Sequence, residues 1–218
     1  MKKSGVPIFL DIDGTLWDTR HHIVTIWNDT FEKMGYGRPV TFERLSGLMG
    51  QPMEAFGCAF FPDMTREAFM PLMHVAEQAE NEGLQTLGGP CLYEGVAETI
   101  RTLSRDHFIA IASNCQKGYI ETFMDVAGVA DCVDDHIANG DTGLPKGENL
   151  KLLMARNGID RGVYVGDTSG DASAAAFAGL DFIWCRYGFG QDVKKAGIDS
   201  ICQLVDVIGD SNVSESLL

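Results

Sequence analysis

No stretch of this sequence is apolar for long enough to cross a membrane. The start carries Lys2 and Lys3, but the apolar run behind them covers only residues 6–10. That is short of a signal-peptide core and far short of a membrane span, so a cytoplasmic chain without a membrane partner is expected. Basic residues are scarce as well: 17 Lys and Arg stand against 31 Asp and Glu, a net charge of −14. Such a surface repels nucleic acid and anionic lipid at long range, so neither is expected as a partner. It repels small anions too, so a site for phosphate needs its own local cations. The cysteines (Cys58, Cys91, Cys115, Cys132, Cys185 and Cys202) form no CxxC pair and no zinc spacing with histidine, and they read as reduced thiols. Internal repeats and low-complexity tracts are lacking.

What is present is an ordinary globular composition, 45% hydrophobic and 22% charged over 218 residues. That length allows one large domain, or a core of about 150 residues with a small insert. Residues 6–10 read as a central parallel strand, apolar on both faces, that delivers Asp11. From 19 to 88 the periodicity is helical only. Ile23, Ile26, Trp27, Phe31 and Met34 share one face, and Gly35 and Gly37 end that helix. Pro52 suits a helix start, and Thr65 caps a helix running to Gly83. The breaker cluster at residues 87–90 is the natural linker. Beyond it, short apolar strands (108–112, a weak one at 132–137, 163–165, and a last one at 182–185) alternate with helices. This pattern predicts an α/β fold, a doubly wound parallel sheet with an inserted helical cap. The expected core is 1–18 and 89–218, with the cap at 19–88.

In such sheets ligands bind at the carboxyl ends of the strands. The first strand delivers Asp11 and Asp13 there, the next Ser113 and Asn114, and a later one Asp167, with Asp171 one helical turn on. Lys146 precedes the helix before that strand. This set suits phosphoryl transfer. Asp11 and Asp167 can bind magnesium from two strands, and a metal with a lysine offsets the repulsion between an anionic nucleophile and a phosphate ester. Gly14 allows a tight turn whose N–H groups face an anion. Asp13 can protonate the leaving oxygen and later activate water. A calcium loop is excluded, because counting from Asp11 puts Gly14 fourth and His22 twelfth.

The string Asp11-Ile12-Asp13-Gly14-Thr15-Leu16, then Ser113, then Lys146, then Gly166-Asp167-Thr168-Ser169-Gly170-Asp171, resembles the four motifs of the haloacid dehalogenase superfamily. Tyr93-Glu94-Gly95-Val96 and Tyr187-Gly188-Phe189-Gly190 resemble further tracts of it, and phosphoglycolate phosphatase-like members are the nearest in pattern. The resemblance implies Asp11 as nucleophile and metal ligand, and Asp13 as acid/base with its backbone carbonyl on magnesium. It implies Asp167 as metal ligand, Asp171 as metal support, and Ser113, Asn114 and Lys146 as phosphate holders. Dehalogenases of the superfamily lack the second aspartate, so Asp13 speaks for phosphate chemistry. Lys146 is followed by Gly147 where the family often has proline.

The expected activity is magnesium-dependent hydrolysis of small phosphomonoesters, with phosphoglycolate a candidate and the protein a monomer or homodimer. One alternative is a β-phosphoglucomutase-like phosphomutase, which carries an arginine in the first cap loop where Gly50 stands here. A receiver-like signalling switch is the other; such domains are about half this length. The cap loop 47–52 is expected to close over the site. Of the cap arginines (Arg20, Arg38, Arg44, Arg66), Arg44 is the candidate to reach a substrate carboxylate. Glu77, Glu80 and Glu82 read as a solvated face, and His21 and His22 as exposed helical histidines.

Overall fold

A computed structural model describes residues 3–87, 89–190, 193 and 197–209. One six-stranded, wholly parallel sheet runs in the order β3-β2-β1-β4-β5-β6. Its strands are β1 (Ile8–Leu10), β2 (Ile109–Ser113), β3 (Asp135–Ala138), β4 (Val163–Gly166), β5 (Asp181–Cys185) and β6 (Gly197–Ile198). Ile8 and Leu10 of β1 point into one core and Phe9 into the other. Both faces of the strand are therefore dry, which explains its unbroken apolar run. On the Ile8 face pack α5 (Val96–Leu103), α6 (Tyr119–Ala127) and α10 (Gln203–Gly209). On the Phe9 face pack α8 (Lys146–Asn157) and α9 (Ser169–Ala178). A single helical turn, α7 (Asn139–Thr142), follows β3.

From β1 the chain builds outward to β2 and β3, then returns to the other side of β1 with β4. The switch point of this doubly wound sheet thus lies at β1, where Leu10 is level with Ile111 and Val165. Between β1 and β2 comes a helical insertion: α1 (Arg20–Lys33), α2 (Phe42–Ser46), α3 (Met53–Phe60) and α4 (Arg66–Leu87). It has its own apolar cluster around Trp27, Phe31, Phe56, Phe60 and Phe69.

Several details differ from the sequence reading. Helix α4 does not stop at Gly83 but continues to Leu87. Gly83 is a packing glycine: a Cβ there would lie 2.7 Å from Cδ1 of Ile26 in α1. The strand after β2 starts at Asp135 rather than 132. The sheet does not end at β5, since the two residues of β6 extend it. Gly88, in the expected linker, lies outside the described residues.

Candidate active site

Asp11 is the first residue beyond β1, and its N–H donates to the Val165 carbonyl at 2.9 Å, continuing the sheet by one bond. The chain then turns tightly, with Leu16 N–H bonded to the Ile12 carbonyl at 2.7 Å and Gly14 N–H to that of Trp17 at 3.0 Å. Gly14 has φ +77°, and a Cβ there would sit 2.2 Å from Oδ2 of Asp167. Only glycine lets the turn approach that carboxylate with this backbone.

Asp167 follows β4 just as Asp11 follows β1. Its Oδ2 accepts the N–H of Phe189 at 2.6 Å and of Gly190 at 3.3 Å, so the loop after β5 holds it from behind. Its Oδ1 is buried without a hydrogen-bond partner. Asp171 is tied at both oxygens. Oδ2 accepts from Thr168 Oγ1 at 2.7 Å and from the N–H groups of Thr168 and Asp167, a capping box at the start of α9. Oδ1 lies 2.5 Å from the Lys146 ammonium, whose other carboxylate neighbour is Asp11 Oδ1 at 2.9 Å. Lys146 is the first residue of α8 and is 7% exposed.

These carboxylates are expensive to ionise together. Burial pushes Asp11 up to about 6, Lys146 holding it back and Asp171 adding to the rise. Asp167 is pushed up to about 8 by burial and then by the charges of Asp11 and Asp171. Asp171 falls below the ordinary carboxylate range in spite of burial, because Lys146 both bonds and attracts it. Lys146 itself, although burial opposes its charge, is held well above its usual range by Asp11 and Asp171. Oxygens of Asp11, Asp167 and Asp171 lie within 4.8 Å of one another. An unpartnered buried oxygen in an acidic cluster fits a small hard cation, which favours carboxylate oxygen and would relieve the mutual repulsion.

Asp13 belongs to a different neighbourhood. Its Oδ1 accepts from Tyr119 OH at 2.8 Å and from Trp17 Nε1 at 3.2 Å. Tyr119 OH lies 2.9 Å from Thr19 Oγ1, and its ring meets Trp17 edge-on at 5.2 Å. Burial raises Asp13 to about 7, against the pull of the Tyr119 and Trp17 bonds.

The motif residues Asp11, Asp13, Ser113, Asn114, Lys146, Asp167 and Asp171 all line one cavity of about 100 Å³. Its roof is the insertion, through Trp27, Met49, Gly50, Gln51, Phe56 and Glu80. The cap loop does reach the core: Asn114 Nδ2 donates to the Gly50 carbonyl at 3.0 Å. Behind that contact, Asn81 of α4 bonds the Lys117 carbonyl at 3.0 Å and Gln116 Nε2 at 3.2 Å.

Glu80 corrects the sequence reading. It is 3% exposed, and its Oε2 accepts from Trp27 Nε1 at 2.6 Å. The signal was available: Phe69, Met73, Ala76, Glu80 and Leu84 are spaced at helical intervals and all are buried, whereas Glu82 is exposed. Tyr119 and Gln116 also line the cavity, and no local pattern in the sequence marks them; Phe189, which lines it too, lies in the Tyr187-Gly188-Phe189-Gly190 tract. The cap arginines are engaged elsewhere. Arg44 donates to the Ala59 carbonyl, Arg38 to Asp29 and Glu32, and Arg66 pairs with Glu54. Arg20 pairs with Asp18 and stacks 3.8 Å above the Phe189 ring. His21 is exposed and stacks on Phe42, and His22 lies 3.3 Å from the Cys91 sulfur. Among the described residues, Lys146 is the one cationic side chain lining the cavity.

Residues 8–185 match the family model of the haloacid dehalogenase-like hydrolases. Among solved structures, the chain is similar to a predicted phosphoglycolate phosphatase from Haemophilus somnus, at TM-score 0.78 and 17% identity over 95% of this chain and 99% of that one. A haloacid dehalogenase-like hydrolase from Bacteroides fragilis aligns at TM-score 0.77 and 21% identity, over 92% and 100%. CbbY from Rhodobacter sphaeroides, solved with phosphate, aligns at 0.76 and 20%, over 92% and 96%. No curated protein matches the sequence. The chain belongs to the haloacid dehalogenase-like hydrolases, and with aspartates at both 11 and 13 it is a phosphohydrolase of that family.

Proposed function

We propose that this hydrolase cleaves compact phosphomonoesters, with Asp11 as nucleophile and magnesium as cofactor. The observation that carries the reading is the setting of Asp11: a buried carboxylate at the sheet's switch point, 2.9 Å from a buried lysine and beside an unpartnered carboxylate oxygen of Asp167, under a roof of cap residues. Asp11, Asp167 and the backbone carbonyl of Asp13 are the groups to hold the metal. Asp171 has both oxygens committed to Lys146 and Thr168, so its part is to support the site from behind. When bound, the metal offsets negative charge on the phosphoryl oxygens.

The chain's own groups divide the work. Lys146, the Ser113 hydroxyl and the Asn114 amide donate to the phosphoryl oxygens and aim phosphorus at Asp11. An Asp11 carboxylate oxygen forms the new bond to phosphorus as the bond to the leaving oxygen breaks. Asp13, steered by Tyr119 and Trp17, gives its proton to that leaving oxygen. It then takes a proton from the water that attacks the aspartyl-phosphate, and Asp11 and inorganic phosphate are released. The cap excludes bulk water while this happens.

Two finer readings bear on the cavity. Phosphoglycolate, named for the Haemophilus somnus protein, carries a carboxylate, and a phosphomutase must hold a second phosphate. Either needs a cation in the roof, where Gly50 offers its carbonyl to Asn114 and Arg44 is turned to Ala59. Both are therefore disfavoured against simple hydrolysis of esters with one anionic group. The test is phosphate release with magnesium over a panel of phosphomonoesters, for the native enzyme and Asp11→Asn. Loss of at least about a thousandfold in the variant with an unchanged fold is expected. Release within tenfold of wild type would remove Asp11 as nucleophile.

A further inference from the structure

Glu80, on α4 of the insertion, lines the same cavity as the phosphate-binding residues and lies within electrostatic reach of Asp13. Trp27 Nε1 donates to one of its oxygens and the Gln116 amide also bonds the carboxyl, while Trp27 and Phe56 line the cavity beside it. The carboxyl is close enough to Asp13 that, after burial itself, the charge on Asp13 is the main influence raising its pKa to about 8. Asp13 marks where the leaving oxygen is protonated, so the polar groups of the roof, Glu80 and Gln51, meet the rest of the leaving group, and of these only Glu80 is an acid. A purely structural partner for Trp27 need only be an acceptor. Glutamine would serve without the cost of burying an ionisable acid.

The surroundings also define what can lie there. Five carboxyl groups line the cavity, and Lys146, its cation, is already shared between Asp11 and Asp171. A second negative charge on the substrate would find no cation of its own there, among the described residues. At about 100 Å³, the cavity leaves room beside the phosphate for a handful of heavy atoms, since one water occupies about 30 Å³ in the liquid.

We propose that Glu80 is the residue that reads the leaving group, selecting phosphomonoesters of small alcohols that offer it a hydrogen-bond donor, hydroxyl or ammonium, and rejecting those with a second anion. This rests on the phosphohydrolase reading above. Four esters of nearly equal size separate the terms: 2-aminoethyl, 2-hydroxyethyl, ethyl and carboxymethyl phosphate (the last is phosphoglycolate). Measured as kcat/KM with magnesium, the aminoethyl and hydroxyethyl esters should exceed ethyl phosphate by about tenfold or more, and carboxymethyl phosphate should be slowest.

Assayed at pH 9, above the value of about 8 at which the buried carboxyl ionises, the gap between the aminoethyl and carboxymethyl esters should narrow by at least about tenfold in Glu80→Gln. A carboxyl that only steadied Trp27 would instead lower all four rates by one common factor, and that result overturns the inference. So does a wild-type order led by carboxymethyl phosphate, or equal rates for the ethyl and hydroxyethyl esters. The wild-type order stands even if the variant misfolds. No release from any of the four esters or from acetyl phosphate overturns the phosphohydrolase reading, and this inference with it.

Discussion

Asp13 and Glu80 show how much a single side chain's neighbours decide. Asp13 is oriented by Tyr119, a residue 106 positions away in sequence. Tyr119→Phe removes one of the two donors that aim the acid and leaves the buried ring. Turnover of alkyl phosphates should fall by about tenfold, while an ester with a good leaving group, which needs little protonation, should lose less. Equal losses on both would show that Tyr119 does not act through the acid. Glu80 yields a prediction on stability. Its carboxyl is raised from the ordinary 4.5 to about 8. Between those values the unfolded chain has given up a proton that the folded chain retains. Stability from this group is whole below about pH 4.5 and is lost as pH rises through about 8. Glu80→Gln has no such proton, and the raised carboxyls that do not interact with Glu80 cancel in the difference. From pH 5 to pH 8 the variant's Tm should gain on wild type by roughly 7–14 °C, from a linkage of about 3–4 kcal/mol and about 2–4 °C per kcal/mol for a chain of this size. A constant difference would show that Glu80 titrates normally. The floor of the cavity was legible because Asp11, Asp13, Ser113, Asn114, Lys146, Asp167 and Asp171 follow strand ends or open helices in a set order. Tyr119 and Gln116 were not, because only tertiary packing makes them neighbours of Asp13 and Asn81.

At the scale of elements, long periodic segments were readable and short ones were not. Helix α1 and the strands β1, β2, β4 and β5 carry enough apolar residues to announce themselves. The two residues of β6 cannot show a period, and α2 and α7 are one turn or little more. Glycine misled where its role was contact and not conformation: Gly83 reads as a helix end but lets α4 lie against Ile26. The loop after β5 holds another such residue. A Cβ on Gly188 would meet Asp167 Cβ at 2.3 Å and the Gly14 carbonyl at 2.4 Å. That loop also supplies the Phe189 and Gly190 N–H groups to Asp167. Gly188→Ala should therefore move Asp167 away from Asp11, cutting kcat/KM by at least about tenfold and stability by about 1–3 kcal/mol. Magnesium should be needed at higher concentration for half-maximal rate. Wild-type activity in this variant would mean that the loop yields and Asp167 does not depend on it.

For the whole molecule the governing quantity is the net charge of −14. A phosphomonoester at neutral pH approaches a surface of its own sign, and the cations that receive it are hidden: Lys146 is 7% exposed, and any metal lies among buried carboxylates. Long-range repulsion between exposed charges is screened within about 10 Å at 0.1 M salt, whereas the buried attraction is screened far less. Added salt should thus lower the barrier to encounter without equally weakening capture. With magnesium held saturating, kcat/KM for an anionic ester should rise by roughly two- to fivefold from 10 to 150 mM ionic strength, carried by KM, with kcat nearly constant. An enzyme with a basic entrance shows the reverse, since its steering is lost in salt. A fall in kcat/KM over that range would mean that cap cations such as Arg20 line the approach when the roof opens. The slope with salt therefore reports on the path into the site, and the ester panel reports on the site itself.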